Sequence, residues 1–450
     1  MPGGTTDMII LAAFTIRVTI SPGMKNRNSR KLHLPYGERE ISFDLPSQNL
    51  LGVISPNPVQ PCLEPLVELR RALHNPIVAP PLSQAAQRSK KVVIVADDLT
   101  RQTPIDLMIP LLLDELNEAG VRDNQVQVVI ALGTHRPMTG DEIQTRFGQQ
   151  VLERIAVLNN PWQDPNQMVD LGSTPNGTPV QISKPVLEAD YVIGLGSIVP
   201  HHIPGFSGGA KIIQPGVSGV ETTGATHYLS ARASRSYLGC LDNPVRAEME
   251  TIAERAGLRV IFNTVLNTDG RMIGAFFGAP RPAHRAGAAL ANQVYGVPVR
   301  QLADIIVAGS HPCDLEFWQA HKALYPADLA LRQGGTIILV TPCPEGVSVM
   351  HPKLLEFAAL DAAQIDSAIQ SGAIDDFVAG ALALAWGRIR QRATISLVSH
   401  GIPDEQARAL GFTPFASLED ALRAAFIRHG SQASVSVLPY APETLPISIP

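Results

Sequence analysis

The sequence predicts an α/β fold: two α/β domains with mostly parallel sheets and an active site in the cleft between them. Three observations predict it. Short β-branched runs alternate with loops and helical stretches, the pattern of inner strands buried on both faces and joined by helices. The runs form two series, residues 92–267 and 303–399, on either side of an Ala-rich helical stretch. The polar and reactive residues sit in loops directly after the runs, where ligands of open α/β sheets bind.

Taken in order, residues 1–32 read as an extension, mobile through the basic stretch 25–31, with residues 1–23 an artefact of the assigned start if translation begins at Met24. The apolar run 8–16 lacks the basic start of a secretory signal, and Arg17 interrupts it. Residues 33–75 read as a β-rich lead-in. VVIVA (92–96) is a buried strand, after which Thr103 caps a helix with Pro104 at its first position. VQVVIAL (126–132) is the next strand, and Thr139 to Glu142 form a capping box. YVIGLG (191–196) and RVIFNTVLN (259–267) complete a first domain, residues 33–280. Residues 281–302 read as a helical connector without a strand. The second domain, 303–430, has strands at 303–309, 335–341 and 394–399 and helical patterns at 315–332, 352–371 and 377–391. Residues 431–450 are expected to return to the first domain.

Composition narrows the function classes. The 36 Lys and Arg against 41 Asp and Glu leave a net charge of −5, which gives no reason to expect nucleic acid or an anionic membrane as partner. Apolar residues are 45% and charged ones 17%, which supports a packed core and opposes disorder. No window approaches the ~20 apolar residues of a membrane-spanning helix. Cys62, Cys240, Cys313 and Cys343 form no CxxC pair, which excludes a disulfide scaffold and a zinc ribbon. The 12 histidines include no HExxH. Read alone, that scarcity of clustered ligands argues against a metalloenzyme.

Each strand-end loop carries candidates with two readings. Arg101, after Asp98, is either a carboxylate anchor or the partner of Asp97 or Asp98 in a structural ion pair. His135, between a Gly-Thr turn and a helix start, is either a neutral base or bonded to local backbone. His201 and His202 cannot be ranked against each other. Ser207, Gly208, Gly209 and Lys211 form either an anion-binding turn or a plain Gly-rich one, and Ile212 breaks the P-loop pattern. Gln319 and Lys322 follow the strand at 303–309.

Together these strings resemble the nickel-dependent lactate racemase family of 2-hydroxy acid racemases and epimerases. The similarity runs from about residue 33 to the C-terminus, through LPYGERE, DDLTRQTP, GTHRPMT, PHHIPGFSGGAKIIQPGVSG, LDNPVR and FWQAHK, in order over roughly 290 residues. The resemblance implies a nickel-pincer nucleotide (pyridinium-3-thioamide-5-thiocarboxylic acid mononucleotide), attached to Lys211 by a thioamide and housed in the first domain. Ser207, Gly208 and Gly209 would face it. His227, 16 residues after Lys211, would be the one protein ligand to nickel. Because the pincer brings the other three ligands, the scarcity of Cys and His no longer opposes a metal.

The resemblance further implies that hydride leaves C2 for the cofactor while a base takes the hydroxyl proton. His135 and His201 would be the two acid/bases. Arg101 would hold the carboxylate, Asp98 would orient the site, and Trp318, Gln319 and Lys322 would complete the substrate pocket. Position 318 is Trp where lactate-type members have Tyr, Trp386 is only a loose counterpart of an aromatic lid, and Arg136 and His202 are spare polar groups. The substrate is therefore expected to be lactate-like, with malate, a larger 2-hydroxy acid or a sugar acid as alternatives. Cofactor-assembly enzymes are expected partners, and the cytoplasm the expected location. The oligomeric state stays open. Two other classes remain: a non-catalytic nucleotide-binding protein, and a Schiff-base lyase using Lys211.

Overall fold

The computed structural model describes residues 29–449. The expectations for residues 1–28, including a start at Met24, fall outside the described residues. Ser29–Tyr36 pairs antiparallel with Arg39–Pro46, so residues 29–32, assigned to the extension, already form a strand.

Two six-stranded sheets organise the chain. The first has the spatial order Met272–Gly278, Leu258–Leu266, Tyr191–Ser197, Val92–Asp97, Val126–Ala131, Ala156–Asn159. Only its first pair is antiparallel. The second runs Thr413–Pro414, Thr394–Val398, Leu331–Val340, Ala303–Gly309, Val435–Leu438, Leu50–Val53, all parallel. Their inner strands are β-branched and buried on both faces, as helix-covered parallel sheets require. In each sheet the strand order reverses at the centre, between Val92–Asp97 and Tyr191–Ser197 in one and between Ala303–Gly309 and Val435–Leu438 in the other. The loops there diverge and leave a crevice.

Four local readings change. Thr103 does not cap the next helix: its hydroxyl donates to Asp97 Oδ2 (2.6 Å), and Ile105–Glu118 begins after Pro104. The connector contains the helix Pro280–Tyr295 but also a strand, Gly296–Val299, paired with Leu445–Ser448. Leu50–Val53, read as part of the first domain, is an edge strand of the second sheet. Val435–Leu438 joins that same second sheet, and only the last residues leave it to reach the connector strand.

Candidate active site

The loops after strands Val92–Asp97, Val126–Ala131 and Tyr191–Ser197 meet the loop after Ala303–Gly309 around one cleft. It is lined by Asp98, Arg101, His135, His201, Ser207, Gly208, Lys211, His227, Trp318, Gln319 and Lys322. Of the residues singled out in the sequence, Gly209 does not line it.

A directional hydrogen-bond chain crosses this cleft. Lys322 Nζ can only donate, and it donates to Gln319 Oε1. Gln319 therefore presents its Nε2 amide hydrogens to His135 Nε2 (2.9 Å). An accepting Nε2 places the ring proton on Nδ1, which donates to Asp98 Oδ2 (2.6 Å). Thr100 holds the other carboxylate oxygen through its hydroxyl and its N–H. Burial would raise the Asp98 pKa, but the adjacent His135 ring and these hydrogen bonds outweigh it and keep the carboxyl well below its usual range.

The cleft is rich in unpaired cations. Arg101 Nη1 donates to Thr100 O (2.9 Å) and Oγ1 (3.1 Å), and no carboxylate forms an ion pair with Arg101 among the described residues. The ion-pair alternative fails because Asp97 pairs with Arg146 (2.7 Å) and Asp98 with His135. Burial, together with Arg101, Lys322 and Arg246, pushes the Lys211 pKa far below that of a free lysine. Burial and Arg101 push Lys322 down to about 8. Cations gathered in a buried pocket whose two carboxylates, Asp97 and Asp98, are already committed favour an anionic occupant.

The loop through Lys211 is held from outside the cleft. Ser207 Oγ donates to Ser197 O (2.7 Å) and accepts from Val199 N (2.9 Å), so its hydroxyl serves the loop itself. Asn263 Oδ1 accepts from Gly209 N (2.8 Å). Buried Arg246 donates to the Pro204, Phe206 and Gly208 carbonyls. His284 Nε2 donates to Ser207 O (2.9 Å). Its ring explains Gly209, which has φ +59°: a Cβ there would lie 2.8 Å from the imidazole.

The remaining histidines divide by their partners. His201 Nδ1 accepts from Ile203 N (3.2 Å), which leaves the ring proton on Nε2. Burial, then Lys211, drives its pKa well down. His202 stacks between His201 (4.7 Å) and Tyr325 (3.9 Å) and meets His321 edge-on. His202 Nε2, both His321 nitrogens and the Tyr325 hydroxyl are buried without a hydrogen-bond partner. On helix Val220–Ala231, His227 Nδ1 donates to Thr223 O (2.8 Å), leaving Nε2 as the free nitrogen. Burial lowers its pKa to about 3.

Trp318 lines the cleft with its ring stacked on His351 (3.9 Å). Trp386 is not among the cleft-lining residues: it is fully buried against Phe317 (5.3 Å). Arg136 is not spare either. It bridges Glu142 (2.8 Å) and Glu345 (3.0 Å). Sequence reasoning missed Arg246, His284, His321 and Tyr325. Arg246 and His321 lie inside the family-like strings LDNPVR and FWQAHK, so those strings carried the available signal.

Residues 36–239 match the family model of the lactate racemase N-terminal domain, and residues 299–442 that of the C-terminal domain. The lactate racemase of Thermoanaerobacterium thermosaccharolyticum is 32% identical over 325 residues, spanning 70% of this chain and 75% of that protein. The lactate racemase of Lactiplantibacillus plantarum is 28% identical over 425 residues, spanning 91% and 97%. The T. thermosaccharolyticum lactate racemase apoprotein superposes with a TM-score of 0.84 at 26% identity, covering 93% of this chain and all of that one. A structural-genomics protein from Thermotoga maritima shares the fold, with a TM-score of 0.66 at 20% identity, over 82% and 96%.

Proposed function

This chain belongs to the lactate racemase family, matched across both halves, and we propose that it is an isomerase that inverts C2 of a 2-hydroxy acid. The observation that carries the reading is the chain of hydrogen bonds that presents His135 Nε2 as an acceptor beside Arg101, a guanidinium without a carboxylate partner. Arg101 binds the substrate carboxylate as a bidentate fork, with Lys322 beside it. The substrate hydroxyl takes the place of the Gln319 amide at His135 Nε2, and that nitrogen removes its proton. Asp98 stabilises the resulting imidazolium through Nδ1. On the other face His201, as an imidazolium with its Nδ1 released from Ile203 N, gives the Nε2 proton to the carbonyl oxygen of the 2-oxo acid. The two exchange roles in the reverse direction. Trp318 walls the pocket, and closure of the two halves excludes water.

The residues fit the nickel-pincer nucleotide. His227 Nδ1 is fixed by a backbone carbonyl, which leaves Nε2 as the nitrogen that would ligate nickel, a metal suited to imidazole. Among the described residues no three His, Cys, Asp or Glu converge on a metal, which accords with a group that would bring its other ligands itself. The depressed pKa of Lys211 makes its amine a nucleophile able to carry the thioamide. His202 and His321, whose buried nitrogens include partnerless ones, are among the residues lining the same cleft. When bound, the cofactor supplies the acceptor and donor of the C2 hydride.

To test this, the protein is matured with cofactor-assembly enzymes, then assayed for nickel, for the mass of the Lys211 peptide and for inversion of D- and L-2-hydroxy acids. We expect an adduct on Lys211 and inversion of at least one acid. Lys211→Ala loses cofactor, and His135→Ala keeps it without turnover. No adduct and no inversion of any acid overturns the reading. The depressed Lys211 also suits a Schiff base, so covalent trapping by borohydride with a 2-oxo acid would instead favour a lyase. No helix among the described residues is long and apolar enough to cross a membrane. The proposed location is cytoplasmic.

A further inference from the structure

A second cavity, of about 270 Å³, adjoins the cleft. Arg101, His201 and Lys322 line both, and His311, Cys313 and Glu443 line the second. Glu443 ends the short turn Ala441–Glu443, beyond the carboxyl end of strand Val435–Leu438 and at the point where the second sheet reverses its strand order. It is only 8% exposed. Its Oε2 is sealed from solvent without a partner, and its side chain makes no hydrogen bond among the described residues. Burial pushes its pKa up to about 7, with His311 and Arg101 opposing. An unpaired buried carboxyl is destabilising, so retaining one beside a reaction site calls for a ligand.

We propose that Glu443 is the specificity-determining residue of a side-chain subsite, accepting a hydrogen bond from a distal hydroxyl of a 2-hydroxy acid whose carboxylate is held at Arg101. The inference rests on the reading of the cleft as a 2-hydroxy acid site and adds the substrate class, polyhydroxylated acids. Charge selects the hydroxyl. A distal ammonium would meet Arg101, Lys322 and His311 on the same walls, and a distal carboxylate would face Glu443 itself. A hydroxyl is neutral and supplies the donor that the carboxyl lacks. A site built to bond a hydroxyl rejects the analogue that lacks it, because the carboxyl is then stranded.

A matched series tests this on the matured enzyme: 2,4-dihydroxybutanoate, 2-hydroxypentanoate, 2-hydroxyglutarate and 4-amino-2-hydroxybutanoate, with lactate as reference. The first two differ by a hydroxyl in place of a methyl. We expect kcat/KM for the dihydroxy acid to exceed that for 2-hydroxypentanoate by about tenfold or more, and to exceed those for the charged analogues. Glu443→Leu brings that ratio toward one, whereas Glu443→Gln, which keeps an acceptor, retains most of it. Equal kcat/KM for the matched pair in the unaltered enzyme overturns the proposal, as does a ratio that Glu443→Leu leaves in place or a preference for either charged analogue. Should Glu443→Leu fail to fold, the unaltered enzyme's series decides alone. Failure to invert any acid, lactate included, would instead overturn the reading of the cleft.

Discussion

Three residues fix where the ring proton of His135 sits. Lys322 orients Gln319, Gln319 occupies Nε2, and Asp98 takes Nδ1–H. Asp98→Asn removes the charge that stabilises the imidazolium and allows the amide to turn its NH2 toward Nδ1, which would move the proton to Nε2. We expect kcat to fall by about 10²–10⁴-fold. A folded Asp98→Asn protein with an unchanged kcat would overturn this role for Asp98. Asp98, Arg101, His135 and Lys211 were legible because strand-end loops are where such groups gather. Arg246 and His284 were not, since each works by donating to backbone carbonyls tens of residues away. Glu443 escaped notice because its meaning lies in burial without a partner, which no sequence pattern encodes.

At the scale of elements, the helix carrying His227 is placed by its packing on Phe377–Arg390. Gly224 permits that approach: a Cβ there would lie 2.5 Å from the Phe377 ring. Gly224→Ala must push the helices apart, costing about 1–3 kcal/mol and displacing His227. Lowered stability in chemical denaturation together with reduced nickel retention would bear this out. Gly387, on the partner helix, is the contrast, because its added Cβ meets Ala362 at an ordinary 3.6 Å. Gly387→Ala should stabilise by about 0.4–1 kcal/mol by restricting the unfolded chain. If both substitutions shift stability in the same direction, close packing at Gly224 is not what distinguishes them. The inner strands were legible to within a few residues, because β-branched runs buried on both faces leave an unbroken apolar signature. The capping box at Thr139 followed from local chemistry alone. Thr103 did not, because Asp97, itself buried, captured the hydroxyl that the helix would have used.

For the molecule as a whole, the cleft exists because the two sheets point their reversal points at each other and are tied together across the gap. Arg136 from the first half bonds Glu345 of the second (3.0 Å), Thr134 Oγ1 and His351 Nε2 are 3.1 Å apart, and Tyr228 donates to Asp366 (2.6 Å). The sequence could not show how far the termini share in this. Leu50–Val53 and Val435–Leu438 pair with each other across nearly the whole chain, and a short strand reveals nothing of so distant a partner. The cross-cleft ties also set how readily the site opens. Arg136 and Glu345 are each a little over a quarter exposed, so their link is worth about 0.2–1 kcal/mol. Arg136→Ala should therefore raise the population of the open cleft by up to about fivefold. Hydrogen exchange of segments 132–136 and 316–322 should quicken to that extent. Added salt should quicken the parent protein toward the variant while changing the variant less, since screening acts on the pair that the variant lacks. Exchange that quickens equally in the distant helix Leu418–His429 would mean global destabilisation instead, and the Arg136–Glu345 pair would then have no special part in holding the halves closed.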